Sequence, residues 1–235
     1  AAVIGLIFAK NRTKTVRFST TQLIVSAMAI ALASVTSMIH LFNMPMGGSI
    51  TLCSMFFISL IGYWYGAPAG IMTGVAYGLL QFIINPIFYT IPQMLTDYPL
   101  AFGALGVSGF FASKKNGMTI GYIFSVIGRY IFAFISGWIF FGEYAADYNM
   151  GAVAYSLVYN GLYLIPEAII TIIIINLQPV KNALKTIGNI QIVLKLNKHF
   201  NIHSQHKNTK QKWTVVHQIY TTVHKKLYIK TRILL

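Results

Sequence analysis

The sequence predicts an all-α integral membrane protein, a bundle of six transmembrane helices with both termini cytoplasmic. The first observation behind this is the charge map. Between residues 18 and 180 only seven side chains are formally charged, whereas the flanks outside that window carry fifteen, every one of them Lys or Arg. Burying an ion in hydrocarbon costs several kcal/mol, and an ordinary soluble domain is about a quarter charged. The second observation is composition: 56% of residues are hydrophobic and only 9% charged over 235 residues, which makes the lipid bilayer the solvent. The third is the regular punctuation of the apolar stretch by Gly, Pro and polar clusters, at intervals near the 20 or so residues that a spanning helix needs.

The spans fall at about 20 to 42, 50 to 66, 68 to 88, 94 to 113, 118 to 141 and 152 to 177. The second is short, and only Gly66 to Pro68 separates it from the third. Lys and Arg close to spans stay cytoplasmic. The N-terminal flank, the Lys114–Lys115 turn and the tail from Lys181 then share one side. Glu143 and Asp147 fall on the other, with the loops around Pro45 and Pro86. The domain plan is a basic cytoplasmic flank at 1–19, a membrane domain at 20–178 and a basic cytoplasmic tail at 179–235.

The net charge of +14 does not mark a nucleic-acid partner, because 11 of the 18 basic residues follow position 180 and four precede position 18. The nine apolar residues before Lys10 are too few to span and read as a clipped or altered leader. Cys53, the single cysteine, reads as a buried structural thiol. His199, His203 and His206 have helical spacing, but with no carboxylate or thiol near them they read as a solvated tail rather than a metal site. No H-E-x-x-H pair, nucleophile elbow, aspartate pair or Walker A sequence occurs, so neither an enzyme nor a cofactor is expected. Without a nucleotide motif, a transporter of this size is ion-coupled, a facilitator, or the substrate-binding part of a larger machine. An intramembrane enzyme or plain scaffold is the reading from a different class.

Small residues at four-residue spacing let helices approach closely in lipid. Ala27 with Ala31, Ala29 with Ala33, and Gly70, Gly74 and Gly78 are the series here. The glycines read as packing within the bundle, while the first helix could serve another protein.

Ionisable groups at membrane depth are functional candidates, since each must be satisfied inside the bundle or at a cavity. Asp97 follows the aromatic loop of Phe88 and Tyr89, and a carboxylate beside aromatic faces suits an organic cation. A helix cap is the structural alternative. Arg129 and Glu167 read as an internal ion pair. On the sixth helix, Asn160 offers an amide to a heterocycle and Tyr155, with Tyr159 and Tyr163 nearby, adds a ring and hydroxyl.

Several collinear blocks then carry a resemblance. They are MGGSITL from Met46, GIMTGVAYGLLQ from Gly70, DYPLAFGALGVSG from Asp97, GRYIFAFISGWIFFG from Gly128 and YSLVYNGLYLIPE from Tyr155. Over about residues 20 to 178 the chain resembles the thiamine-specific substrate-binding subunits (the ThiT/YuaJ family) of energy-coupling factor (ECF) vitamin transporters. The resemblance implies the six-helix S-component fold and a multi-pass protein of a bacterial plasma membrane. It also implies capture of thiamine or a related vitamin from outside, and hand-over by toppling in the bilayer. The implied partners are a transmembrane coupling protein, EcfT, and two cytoplasmic ATPases, EcfA and EcfA′. It implies ligand-binding roles for Asp97, Tyr98, Phe141, Tyr155 and Asn160. Docking onto the coupling protein falls to an A-x-x-x-A motif, Ala27 with Ala31 or Ala29 with Ala33.

The chain departs from the family pattern where R-x-x-x-H-F becomes Arg129 to Ala133, where a tryptophan becomes Phe141, and in a first outer loop that offers Phe42, Asn43 and Met44. Each change removes a stacking or hydrogen-bonding partner worth on the order of 1 kcal/mol. Thiamine and a related pyrimidine or thiazole compound are therefore both candidate ligands. Trp138, one residue out of the stacking frame, is expected to face lipid or a neighbouring helix. The tail after about 180 lies outside the resemblance and reads as a lineage-specific extension or a reading-frame artefact.

Overall fold

Ser19 opens the first helix with a reciprocal cap. Its hydroxyl accepts from the Gln22 N–H at 3.3 Å and its own N–H donates to Gln22 Oε1 at 2.9 Å, satisfying two of the donors every helix start leaves free. The computed structural model describes residues 19–188. The apolar leader, the basic residues from Lys10 to Arg17 and the histidine group of the tail lie outside the described residues.

Helix α1 spans Thr20–Ser37, and a short antiparallel hairpin follows, β1 His40–Asn43 against β2 Ser49–Thr51. The all-α expectation misses this hairpin, and the first span ends at Ser37 rather than near 42. The reason is the turn. Pro45 sits at its second position, the Gly47 N–H closes on the Met44 carbonyl at 3.0 Å, and Gly47 and Gly48 take φ of +97° and +75°, which glycine alone adopts cheaply.

Helix α2 is Ser54–Tyr65 and α3 is Ala67–Ile84. Gly66, at φ +94°, breaks one from the other, and Pro68 occupies the first turn of α3, where its missing N–H costs nothing. The fourth helical segment is composite. It starts as α4, Ile91–Leu95, widens into a π-turn over Thr96–Leu100 around Pro99, and tightens into a 3-10 stretch over Ala104–Phe111. Pro99 has no N–H to return to the preceding turn, so the helix widens where Asp97 projects. Helix α5 runs Gly117–Phe140, a 3-10 turn covers Gly142–Tyr148, and α6 runs Ala152–Asn176.

Helical segments thus occupy each of the six predicted positions. Among the described residues four are long and apolar enough to cross a membrane, α1, α3, α5 and α6, while α2 has 12 residues. Their outward faces are apolar, with Leu23, Met28, Ile83, Ile139 and Ile173 all more than half exposed. A protein with such faces and so few charges is a membrane protein. Residues 19–181 belong to one structural unit, and the described residues 182–188 belong to a second and are helical.

The composite fourth segment is the hub against which α2, α3 and α5 pack. The α3 glycines make this possible, as expected of that series. A Cβ on Gly74 would strike the Phe102 carbonyl, one on Gly78 the Tyr98 carbonyl, and one on Gly70 would lie 2.7 Å from the Gly106 Cα. Interhelical hydroxyl bonds reinforce the contact: Ser108 Oγ donates to the Ser59 carbonyl at 2.6 Å and Ser125 Oγ to the Leu105 carbonyl at 2.8 Å. This packing brings the π-turn carrying Asp97 beside α5.

Candidate ligand-binding site

A cavity of about 650 Å³ lies among the hairpin, the 85–90 loop, the π-turn, α5 and α6. Asp97, Tyr98, Phe141, Tyr155 and Asn160 all line it, so residues spread over more than sixty positions of sequence meet at one place. Each arrives with a different freedom to interact.

Asp97 gives one carboxylate oxygen, Oδ2, to the Gln93 amide at 2.6 Å. Tyr98 is more constrained than its sequence role suggests. Its hydroxyl accepts from the Ile87 N–H at 3.0 Å and donates to the Asn85 carbonyl at 2.9 Å, and its ring meets Phe82 edge-on at 5.1 Å. That hydroxyl pins the 85–90 loop. The Asn160 amide is likewise engaged: Nδ2 donates to the Ser156 carbonyl at 2.9 Å and the Ala133 carbonyl at 3.2 Å, while Oδ1 accepts from the Tyr163 hydroxyl at 2.8 Å. Both amide hydrogens face protein, which leaves one Oδ1 lone pair for a ligand.

Tyr155 belongs to a ladder of rings along α6 and its preceding turn. It sits 5.6 Å from Tyr148 and 5.7 Å from Tyr159, which meets Tyr163 at 5.9 Å. These separations suit a planar guest lying against aromatic faces. The hairpin rests on the same rings: a Cβ on Gly48 would come 2.9 Å from Tyr163, so glycine there permits the close approach as well as the φ. At the mouth, Phe141 contacts Tyr89 edge-on at 5.2 Å, and the hydroxyls of Tyr89 and Tyr144 are 2.6 Å apart. The bond with Tyr89 raises the Tyr144 phenol above the ordinary tyrosine range.

The expected Arg129–Glu167 ion pair is not formed. Among the described residues no ion pair joins them, although both line the cavity. Glu167 is taken by other donors: its Oε2 accepts from Thr51 Oγ1 at 2.7 Å and the Thr51 N–H at 3.2 Å, and its Oε1 from Ser54 Oγ at 3.2 Å. Arg129 instead lies over the Phe102 ring at 4.1 Å from its centroid, a cation–π contact. Glu167, 3% exposed, therefore ties the base of the hairpin to α6. Glu167→Ala is expected to lower stability by about 2–4 kcal/mol, because it orphans the Thr51 N–H and leaves the Thr51 and Ser54 hydroxyls, 2.9 Å apart, only each other as partners. Glu167→Gln, which keeps an acceptor, should recover most of that in thermal melts of the detergent-solubilised protein.

The two alanine frames of α1 face opposite ways. Ala29 and Ala33 are buried, Ala29 packing with Ile61 and Ala69, and the Ala33 carbonyl accepting from the Tyr77 hydroxyl at 3.2 Å. That frame faces the bundle's own packing. Ala27 and Ala31 are exposed. Cys53 is buried, as expected, and Trp138 is about half exposed, stacked on Phe134.

The Asp97 carboxylate and the tyrosine rings line a cavity within a bundle of apolar helices, which makes the chain a membrane protein with a pocket of small-solute size. Among the described residues no cluster of His, Cys, Asp or Glu could hold a metal. Residues 23–187 match the family model described as thiamine transporter protein (Thia_YuaJ). The chain is also 38% identical over 166 residues to the thiamine transporter ThiT of Bacillus subtilis (strain 168), an alignment covering 65% of this chain and 84% of that relative. The chain belongs to the Thia_YuaJ thiamine transporter family, which is a family of transporters and not of enzymes.

Proposed function

We propose that the chain captures thiamine outside the cell as the substrate-binding subunit of an ATP-driven energy-coupling factor transporter. The observation that carries this reading is the pairing, in one cavity, of the Asp97 carboxylate with the Tyr155–Tyr159–Tyr163 ring ladder. Thiamine is a permanent monocation with two heteroaromatic rings. Coulomb attraction at Asp97 and stacking on the tyrosines answer its two recognisable features. The remaining Asn160 lone pair accepts from the aminopyrimidine in this reading, and Tyr98 and Phe141 complete the wall.

In this reading α2 and the composite 91–111 segment cross the bilayer together with the four long helices, giving six spans over a 20–178 membrane domain. Both termini, as basic flanks 1–19 and 179–235, lie in the cytoplasm of a bacterial cell whose plasma membrane holds the protein. The concentration of Lys and Arg at the flanks and at Lys114–Lys115 supports that orientation. The hairpin, the 85–90 loop and the 142–148 turn then face outward, around the mouth. Energy comes from EcfA and EcfA′ through EcfT, which the chain meets through Ala27 and Ala31.

Titrating thiamine into the purified, detergent-solubilised protein, read by quenching of intrinsic tyrosine and tryptophan fluorescence, tests the ligand. Saturation at nanomolar to low micromolar thiamine is expected; a flat titration of folded protein removes thiamine from consideration. A second ligand reading, a thiamine precursor or another vitamin, is favoured by one observation. Ala133 lines the cavity with only a methyl group, where the family pattern R-x-x-x-H-F has an imidazole. Competition by the separate pyrimidine and thiazole halves distinguishes them: a half that displaces thiamine at equal concentration identifies itself as the preferred ligand.

A further inference from the structure

Gln93 is fully buried and lies behind the cavity wall, yet it holds together groups that form that wall. Its Nε2 donates to Asp97 Oδ2 at 2.6 Å and to the Ile87 carbonyl at 3.3 Å, while its Oε1 accepts from the Tyr89 N–H at 3.1 Å. Both amide hydrogens and one acceptor position are thus engaged by one carboxylate and one loop, in a site shielded from water. The loop in turn reaches across the mouth, where the Tyr89 hydroxyl meets that of Tyr144, 55 residues further along the chain, at 2.6 Å.

We propose that Gln93 is a positioning residue that locks the Asp97 carboxylate to the 85–90 loop, and that the Tyr89–Tyr144 hydroxyl pair is the latch by which this loop closes the mouth. Charge capture and closure are then one event. A cation held at Asp97 keeps the carboxylate, the amide and the loop in register, and by reciprocity a closed loop retains the cation. The ligand half of this statement rests on Asp97 being the partner of a cationic guest. The latch itself stands on geometry.

The experiment has a readout that needs no ligand. In a Cys53→Ser background, Ala133→Cys places a thiol on the cavity wall, and its rate of reaction with a charged, water-soluble thiol reagent reports how often the mouth is open. Tyr144→Phe and Tyr89→Phe are each expected to speed that reaction about five-fold, the loss of one hydrogen bond, with the double variant no faster than either. Gln93→Leu should speed it at least as much; Gln93→Glu, which keeps an acceptor for the Tyr89 N–H but sets a second carboxylate against Asp97, serves if the leucine variant does not fold. With the native cavity, the dissociation rate of thiamine should rise by the same factor in Tyr144→Phe while its association rate stays within about two-fold.

Equal thiol reactivity in all variants overturns the latch. Faster reaction in the tyrosine variants but not in either Gln93 variant overturns the role of Gln93. The expected reactivity pattern in a protein that binds no thiamine keeps the latch and removes the ligand reading, so the two failures are distinguishable.

Discussion

Asp97→Asn is expected to weaken thiamine binding on the order of 100-fold while the protein folds and melts as the native chain does. Opposite unit charges about 4 Å apart interact by about 4 kcal/mol at the effective dielectric of a partly buried protein site. An amide dipole retains part of that, so a loss of about 3 kcal/mol, or 100-fold, is the appropriate scale. The fold is spared because an asparagine carbonyl still accepts from Gln93 Nε2, the one hydrogen bond that Oδ2 makes. The measurement is a thiamine titration of both proteins, with a neutral analogue lacking the thiazolium charge run in parallel. The analogue should lose little on substitution, so the difference between the two losses isolates the charge term. If the asparagine variant binds thiamine as tightly as the native protein, Asp97 is a helix-start carboxylate and nothing more.

Glu167 cannot take over that role without cost, although it is the other carboxylate in the cavity. Its two oxygens already accept three hydrogen bonds from the hairpin base and the start of α2. Asp97 Oδ2 accepts from Gln93, and that lighter commitment is the reason Asp97 rather than Glu167 is proposed to meet the guest.

The contrast also explains what the sequence could and could not reveal. Membrane class followed from the charge gap because the energetic penalty for an ion in lipid is large enough to dominate any local preference. The break at Gly66–Pro68 was equally readable, since it depends on the chemistry of those residues alone. The hairpin was not, because Met38 to Phe42 is apolar apart from His40 and so continues the α1 pattern, and three- and four-residue strands are too short to show alternation. The turn residues Pro45, Gly47 and Gly48 were the available signal.

Pairing Arg129 with Glu167 failed for a different reason. Opposite charges in apolar helices invite each other, but two of the three donors to Glu167 come from Thr51 at the end of the hairpin and the third from Ser54 just after it. Gln93, four residues before Asp97, had the spacing of helical neighbours and was readable in principle. Its reach to the Ile87 carbonyl and the Tyr89 N–H depends on a loop that doubles back, which spacing does not encode. The five residues that share the cavity were brought together by resemblance to a family, since no periodicity links position 97 to position 160.

Leucine at both Ala27 and Ala31 is expected to abolish thiamine uptake by cells while leaving thiamine affinity of the purified protein within about two-fold. Those alanines lie exposed on α1, flanked by the exposed Leu23, Ile24 and Met28. Larger side chains there extend away from the described residues, whereas they would hold a partner helix away from the backbone at the point where small residues allow close approach. The control is built into the same helix. Ala33 is fully buried and its carbonyl receives the Tyr77 hydroxyl, so Ala33→Leu should cost folding and binding together through overpacking. Uptake and binding measured on both sets separate the two faces of one helix. Loss of binding in the Ala27/Ala31 variant would make that face part of the bundle's own packing, and full uptake would move the coupling surface to another helix.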